Sequence, residues 1–283
     1  MKFYLSGLGN TYPNLDLIQE AIVEADRLGF DGALMPDHYM WGEMRGHSMP
    51  NAYSTLDTWV TLTYLAGKTE NIRLGTLVTP LPFRHPGVLA KMLSTLDVLS
   101  GGRVVLGVGA GWSQVEFEGY SVWGGPKYRV DKTIEALNLM KRLWTEDEVT
   151  FKGRFYDVKG AVLDPKPVQK PHPQLLFGST GDRMLKLTGK HADICFIPPW
   201  TGPGYEAIKS KVLRAAETEG RAGKVAFMAG EMGSRGPYDS EEYTKRIEAA
   251  IASGATYYNS AFPRGSLVES MRRFAEEVMP SFN

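Results

Sequence analysis

An acid, an imidazole and an indole follow one another in Asp37-His38-Tyr39-Met40-Trp41, directly after the apolar run Gly32-Ala33-Leu34-Met35 and Pro36. An imidazole gives or takes a proton near neutral pH, and a carboxylate beside it can tune that exchange. An indole walls such a pair from water. A capping Asp beside a packed His would explain the same letters, so the position of the stretch in the fold has to decide. A second stretch, Gly178-Ser179-Thr180-Gly181 before Asp182, leads small residues straight into a helical pattern. Free amides and the positive end of a helix dipole there suit a phosphate, with the Ser179 and Thr180 hydroxyls as further donors. An ordinary capped turn is the competing account. A third, Gly107-Val108-Gly109-Ala110-Gly111-Trp112, has Trp112 where a dinucleotide fingerprint needs its third glycine. Its glycines allow close approach of a ring or a helix, or serve packing of the fold. His47 is expected at the pocket mouth. His85 at a helix start, His172 in a proline-rich segment and His191 at a helix end read as structural.

The elements that must hold these residues alternate. Strand-like runs occupy 2–6, 32–35, 72–80, 103–111, 173–178, 192–197, 224–230 and 255–262, each followed by a helical pattern. The first helix shows Leu15, Ile18, Ile22, Ala25 and Leu28 at helical spacing, entered at Asn14 and stopped at Gly29. Asp239-x-x-Glu242 and Ser266-x-x-Glu269 have the form of capping boxes for the last two helices. Two stretches interrupt the rhythm: a long polar and aromatic loop over about residues 37–54, and a hairpin at "VTFKGRFYDV" followed by the proline-rich "LDPKPVQKPHP". Eight βα units in one domain over residues 1–283 predict an α/β fold of the (β/α)8 TIM-barrel class, with those two insertions. A doubly wound open sheet is the alternative, but Gly7-x-Gly9 is followed by Tyr12 where its phosphate turn needs glycine. A barrel places the ends of strands two, four and five, and therefore all three stretches, on one catalytic face.

Composition narrows the function. Thirty-two basic residues balance thirty-two acidic ones, which points to neither nucleic acid nor an anionic membrane as partner. Cys195 is the only cysteine, so no disulfide forms within the chain. Five scattered histidines show no His-x-x-x-His spacing, and no dedicated metal site is expected. No run approaches the roughly 18 apolar residues of a membrane span, and a cytoplasmic protein is the expectation.

Taken in order, "EADRLGFDGALMPDH", "IRLGTLVTPLPFRHPGVLAKMLSTLDVLSGGRVVLGVGAGW", "VTFKGRFYDV", "LLFGSTGDRMLKLTGKHADI" and "PRGSLVESMRRFAEEVMPSF" resemble the bacterial luciferase-like superfamily of barrel flavin and deazaflavin enzymes. The run 72–112 is the most specific. "DHYMW" is most similar to the branch that uses coenzyme F420, a deazaflavin that transfers hydride and reacts poorly with oxygen. The resemblance implies an F420-dependent oxidoreductase with a small-molecule substrate, and a homodimer. His38 would donate a proton or hydrogen bond, Asp37 would orient His38 or contact the cofactor, and Trp41 would wall the pocket. It also implies a non-proline cis peptide between Leu77 and Val78, within a cofactor-binding segment Thr76-Leu77-Val78-Thr79. Gly107, Gly109, Ala110, Gly111 and Trp112 would flank the ring, and Gly178, Ser179, Thr180 and Gly181 would hold the phosphate. An FMN-dependent luciferase-like monooxygenase is the alternative, and a non-catalytic cofactor-binding protein a third reading. The glucose-6-phosphate dehydrogenases of the F420 branch carry a glutamate where this chain has Trp112. Glu116 and Glu118 lie further along, beyond the expected reach of the site.

Overall fold

The computed structural model describes residues 1–11, 14–44, 47–48, 52–234 and 236–282, without the side chains of 43–44, 47–48, 200 and 202–203. Eight parallel strands pair in sequence order: β1 (Lys2–Leu5), β2 (Gly32–Met35), β3 (Arg73–Thr76), β4 (Val104–Gly109), β5 (Gln174–Phe177), β6 (Ile194–Phe196), β7 (Ala226–Gly230) and β8 (Tyr257–Ser260). β8 pairs with β1, so the sheet is a closed barrel.

The strands alternate because both of their faces are buried. Tyr4, Leu34, Val105, Leu176, Ile194, Phe196, Met228 and Tyr257 form one cluster that fills the barrel. Their neighbours, among them Leu5, Ala33, Leu74, Leu106, Phe177 and Cys195, join the larger core beneath the helices. The helices are α1 (Leu15–Arg27), α2 (Thr58–Ala66), α3 (Pro86–Leu99), α4 (Gln114–Tyr120), α5 (Pro126–Thr145), α6 (Asp182–His191), α7 (Tyr205–Thr218), α8 (Ser240–Ala252) and α9 (Leu267–Glu277). Ile18, Ala21, Ile22 and Ala25 form the buried stripe of α1, as the spacing requires.

Three local expectations change. The run read as one strand over 72–80 breaks after Thr76. The cis peptide expected between Leu77 and Val78 is present at that break, and Thr79 and Pro80 then resume pairing with Val108 and Gly109. The stretch after β4, read as a loop, contains α4. Of the two capping boxes only the first forms, and only its N-cap half: the Asp239 side chain accepts from the Glu242 amide, while the Glu242 carboxylate accepts from Arg246. The Ser266 hydroxyl makes no cap bond and meets the Ser270 hydroxyl at 3.0 Å instead.

Both insertions have local order. In the first, Glu43–Met44 pairs with His47–Ser48; the His47 side chain, expected at the pocket mouth, lies outside the described residues. In the second, Val149–Lys152 pairs with Asp157–Ala161. Glu135 of α5 holds that turn by accepting from the amides of Arg154, Phe155 and Tyr156. No helix among the described residues is long and apolar enough to cross a membrane.

Candidate active site

His38 stands at the carboxyl end of β2, where the chain leaves the barrel, and is 8 % exposed. Its Nδ1 lies 2.8 Å from Oε2 of Glu116, on the first turn of α4. The other oxygen of Glu116 accepts from the amide of Tyr39 at 2.5 Å. Glu116 thereby clamps the loop and the ring together. Since a carboxylate accepts, Nδ1–H donates to it, and Nε2 is left for a ligand. Trp41 lies over the imidazole at 4.0 Å between ring centroids, tilted by 32°. Trp112 meets it edge-on at 5.5 Å.

Asn10, completely buried after β1, ties the arrangement together. Its Nδ2 donates to the His38 carbonyl at 2.7 Å, and its Oδ1 accepts from the Trp41 indole nitrogen at 3.0 Å. One amide thus fixes both the backbone of the imidazole and the plane of the indole above it.

Asp37 does not orient His38. Its oxygens face the other side of the loop, where Arg84 donates to both of them at 2.6 and 3.0 Å. The Thr79 hydroxyl adds a third bond at 2.8 Å. Burial pushes the Asp37 carboxyl up, while Arg84 and Thr79 pull it back toward the charged form. Burial likewise opposes the charge on Arg84, but Asp37 outweighs it and the guanidinium is held protonated. Arg84 also reaches Asp57 at 2.7 Å and lies over the Tyr39 ring at 4.7 Å. Thr79 is in turn bonded by the Trp59 indole and adjoins the Thr76 hydroxyl at 3.0 Å. The Asp37–Arg84 pair therefore anchors the His38 loop to the segment around the cis peptide.

The glycines after β4 mostly serve packing. A Cβ on Gly107 would fall 1.9 Å from the Thr76 carbonyl oxygen, and one on Gly109 would fall 2.5 Å from a Val78 methyl. Gly111, at φ +79°, lets the Phe117 ring of α4 approach to 2.3 Å of the same hypothetical atom. That approach turns α4 inward and brings Glu116 to His38. Ala110 is half-buried, and Trp112 is exposed beside the imidazole.

The loop after β5 behaves differently. A Cβ on Gly178 would lie 3.2 Å from Leu77 and 3.3 Å from Val78, so the loop sits against the cis peptide. Ser179 is half-buried and Thr180 exposed. Gly181 precedes α6 with no side-chain cap, and a Cβ there would meet nothing within 4 Å. The first amides of α6 are open to an anion, and the charge of Asp182 is taken up by Lys211 at 2.6 Å. The residues present fit the phosphate-bearing side chain of a flavin or deazaflavin.

The other histidines have structural partners. His85 accepts from the Gly87 amide at the start of α3. The His172 ring adjoins the Pro173 carbonyl at 3.0 Å, and His191 adjoins the Lys141 amine at 3.0 Å. Glu116, Asn10 and Arg84 were not among the expected site residues, and the expectation that Glu116 falls short of the site is overturned. The one signal for Glu116 was Ser113-x-x-Glu116, which has the form of a capping box. Ser113 makes no cap bond, and the carboxylate turns to His38 instead.

A family model described as luciferase-like monooxygenase matches residues 3–277. The chain is 35% identical over 173 residues to an F420-dependent glucose-6-phosphate dehydrogenase of Microbacterium testaceum, covering 60% of this chain and 49% of that one. It is 29% identical to an FMNH(2)-dependent dimethylsulfone monooxygenase of Pseudomonas putida, covering 82% of this chain and 61% of the other. The chain spans about half the length of these first curated relatives, from 49% to 61%. Among solved structures, an F420-dependent secondary alcohol dehydrogenase in complex with an F420-acetone adduct superposes over 100% of both chains at TM-score 0.83 and 22% identity. That likeness establishes the fold.

Proposed function

The chain belongs to the luciferase-like monooxygenase family, and from that premise we propose that it is a coenzyme F420-dependent oxidoreductase acting on a small organic substrate. The observation that carries the reading is a single acid–base group, His38, whose Nδ1 is backed by a buried carboxylate at 2.8 Å. The relatives named as F420-dependent support the choice of cofactor. When bound, the deazaflavin accepts or gives a hydride.

The chain's own residues do the rest. His38 takes a proton from the substrate oxygen at Nε2 as an alcohol is oxidised, or returns it as a carbonyl is reduced. Glu116 keeps the other ring nitrogen protonated and stabilises the imidazolium that proton uptake creates. Asn10 and Trp41 hold the ring plane, and Trp41 excludes water. Thr76, Leu77, Val78 and Thr79 would back the cofactor ring, with Gly109, Ala110 and Gly111 at its edge. The amides of Gly178, Ser179, Thr180 and Gly181 would hold its phosphate.

Fluorescence titrations with F420 and with FMN, done separately, test the cofactor. F420 is expected to bind, and binding of FMN alone would move the chain to the monooxygenase reading that the dimethylsulfone relative supports. H38A is expected to keep F420 affinity and lose hydride transfer by about 10²–10⁴-fold. E116Q should lose roughly tenfold or more in hydride transfer while keeping F420 affinity. Unchanged turnover in H38A would remove His38 from catalysis, and F420 binding without turnover in the wild type would leave a non-catalytic binding protein.

The same reading carries a cytoplasmic homodimer. Exposed Val60 and Tyr64 on α2, with Val88 and Leu99 on α3, supply apolar surface for it. A molar mass of one protomer by light scattering would exclude the dimer.

A further inference from the structure

In the helical shell, α3 buries Leu89, Leu93 and Leu96, and α5 buries Leu137, Met140 and Trp144. α8 buries Tyr243 and Ile247 in its first half but only Ala250 in its last turn. Ala249 and Ser253 beside it are also small, so that turn leaves space next to α7 unfilled. Lys209 of α7 crosses the gap and donates to the Ser253 carbonyl at 2.6 Å. The result is a cavity of about 400 Å³ between α7, α8 and the outer face of β6–β8. Small-molecule sites have that size. Its lining residues Ile197, Ala229 and Tyr258 belong to the core outside the barrel wall, so the space is separate from His38 and the barrel mouth.

Most charges at this wall are matched. Glu231, 2% exposed, meets Arg246 at 2.5 Å, and Arg246 also donates to Glu242 at 2.9 Å. Lys209 is held by the Ser253 carbonyl. Glu206, in the first turn of α7 and exposed at the rim, has no ion-pair partner among the described residues. Ile197, Pro199, Tyr205 and Tyr258 make much of the remaining lining apolar or aromatic. We infer that this cavity is a second binding site, for a small aromatic amine whose ring lies among Ile197, Tyr205 and Tyr258 and whose ammonium meets the Glu206 carboxylate. An apolar ring leaves water favourably for such a lining. A ligand carboxylate would instead face Glu206 and Glu231, and Arg246 has little charge left to draw it in, since two carboxylates already hold the guanidinium. The site stands whichever cofactor the barrel mouth takes.

The test titrates tryptamine, indole and indole-3-acetate into the wild type, A249L, A250L, E206Q and H38A, with ligand-observed NMR as the readout. Tryptamine should bind the wild type roughly threefold more tightly than indole, and indole-3-acetate more weakly than either. A249L and A250L fill the space from α8, and each should weaken tryptamine about tenfold or more. Ala249 is exposed, so A249L keeps the fold even where A250L does not, and urea midpoints check both. E206Q should bring tryptamine down to the level of indole and leave indole unchanged. H38A should bind tryptamine as the wild type does. The inference is overturned if tryptamine does not bind, if folded A249L binds it like the wild type, or if E206Q keeps the preference for the amine. Indole-3-acetate binding as tightly as tryptamine would overturn the ligand class, and loss of tryptamine binding in H38A would place the ligand in the barrel mouth and overturn the site.

Discussion

At the scale of residues, neighbours in sequence became strangers in space. Asp37 precedes His38, yet consecutive side chains leaving a strand point to opposite sides. Each found its partner far along the chain, Asp37 at Arg84 and His38 at Glu116. His38 itself was legible, because its type and its place at a strand end were both visible in the letters. Its partner was not, since only the turn at Gly111 and the packing of Phe117 decide where Glu116 points. The Asp37–Arg84 pair makes a prediction. R84A leaves a buried carboxylate, 1% exposed, without its cation. The variant should lose about 3–5 kcal/mol in urea unfolding. The double variant D37N/R84M should recover much of that, and a double as unstable as R84A would show that charge isolation is not the cause.

At the scale of elements, the βα rhythm was readable because hydrophobic period and turn residues agree unit after unit. The caps were less so. Asp239, Ser113 and Ser266 all stand three residues before a Glu, and only Asp239 accepts a cap bond. A capping motif states what a side chain can reach, while tertiary partners decide what it does reach: Glu116 found His38, and Ser266 found Ser270. The glycines of β4 show the same limit. Their spacing left a ring, a helix or packing of the fold equally open, and Gly107 is required by the neighbouring strand, whose Thr76 oxygen a Cβ would meet at 1.9 Å. G107A should therefore destabilise the barrel by about 4 kcal/mol or more. G181A, in open space, should unfold near the wild-type midpoint. Equal midpoints for the two in urea would refute this account of the β4–β3 contact.

At the scale of the whole molecule, closure of the barrel was legible from the count of units, and the electrostatics on its helical shell were not. His191, at the end of α6, is pushed down to about 3 by burial first and then by Lys141, Lys190 and Arg221. Its ordinary value is 6.5, so between that pH and about 3 the unfolded chain holds a proton that the folded chain refuses. Stability must fall as pH drops through that window. H191N removes this part of the slope, so its urea midpoint should fall less than the wild type's between pH 7 and 4.5; parallel curves would show that His191 contributes nothing. The core under the same shell holds Cys195, the one thiol of the chain, 1% exposed and raised by burial to about 12. A thiol so placed is inert to alkylating reagents. A cysteine introduced at the exposed rim, at Glu118 for example, would be the sole reactive one, and a dye or spin label attached there would report on α4 without any background to subtract.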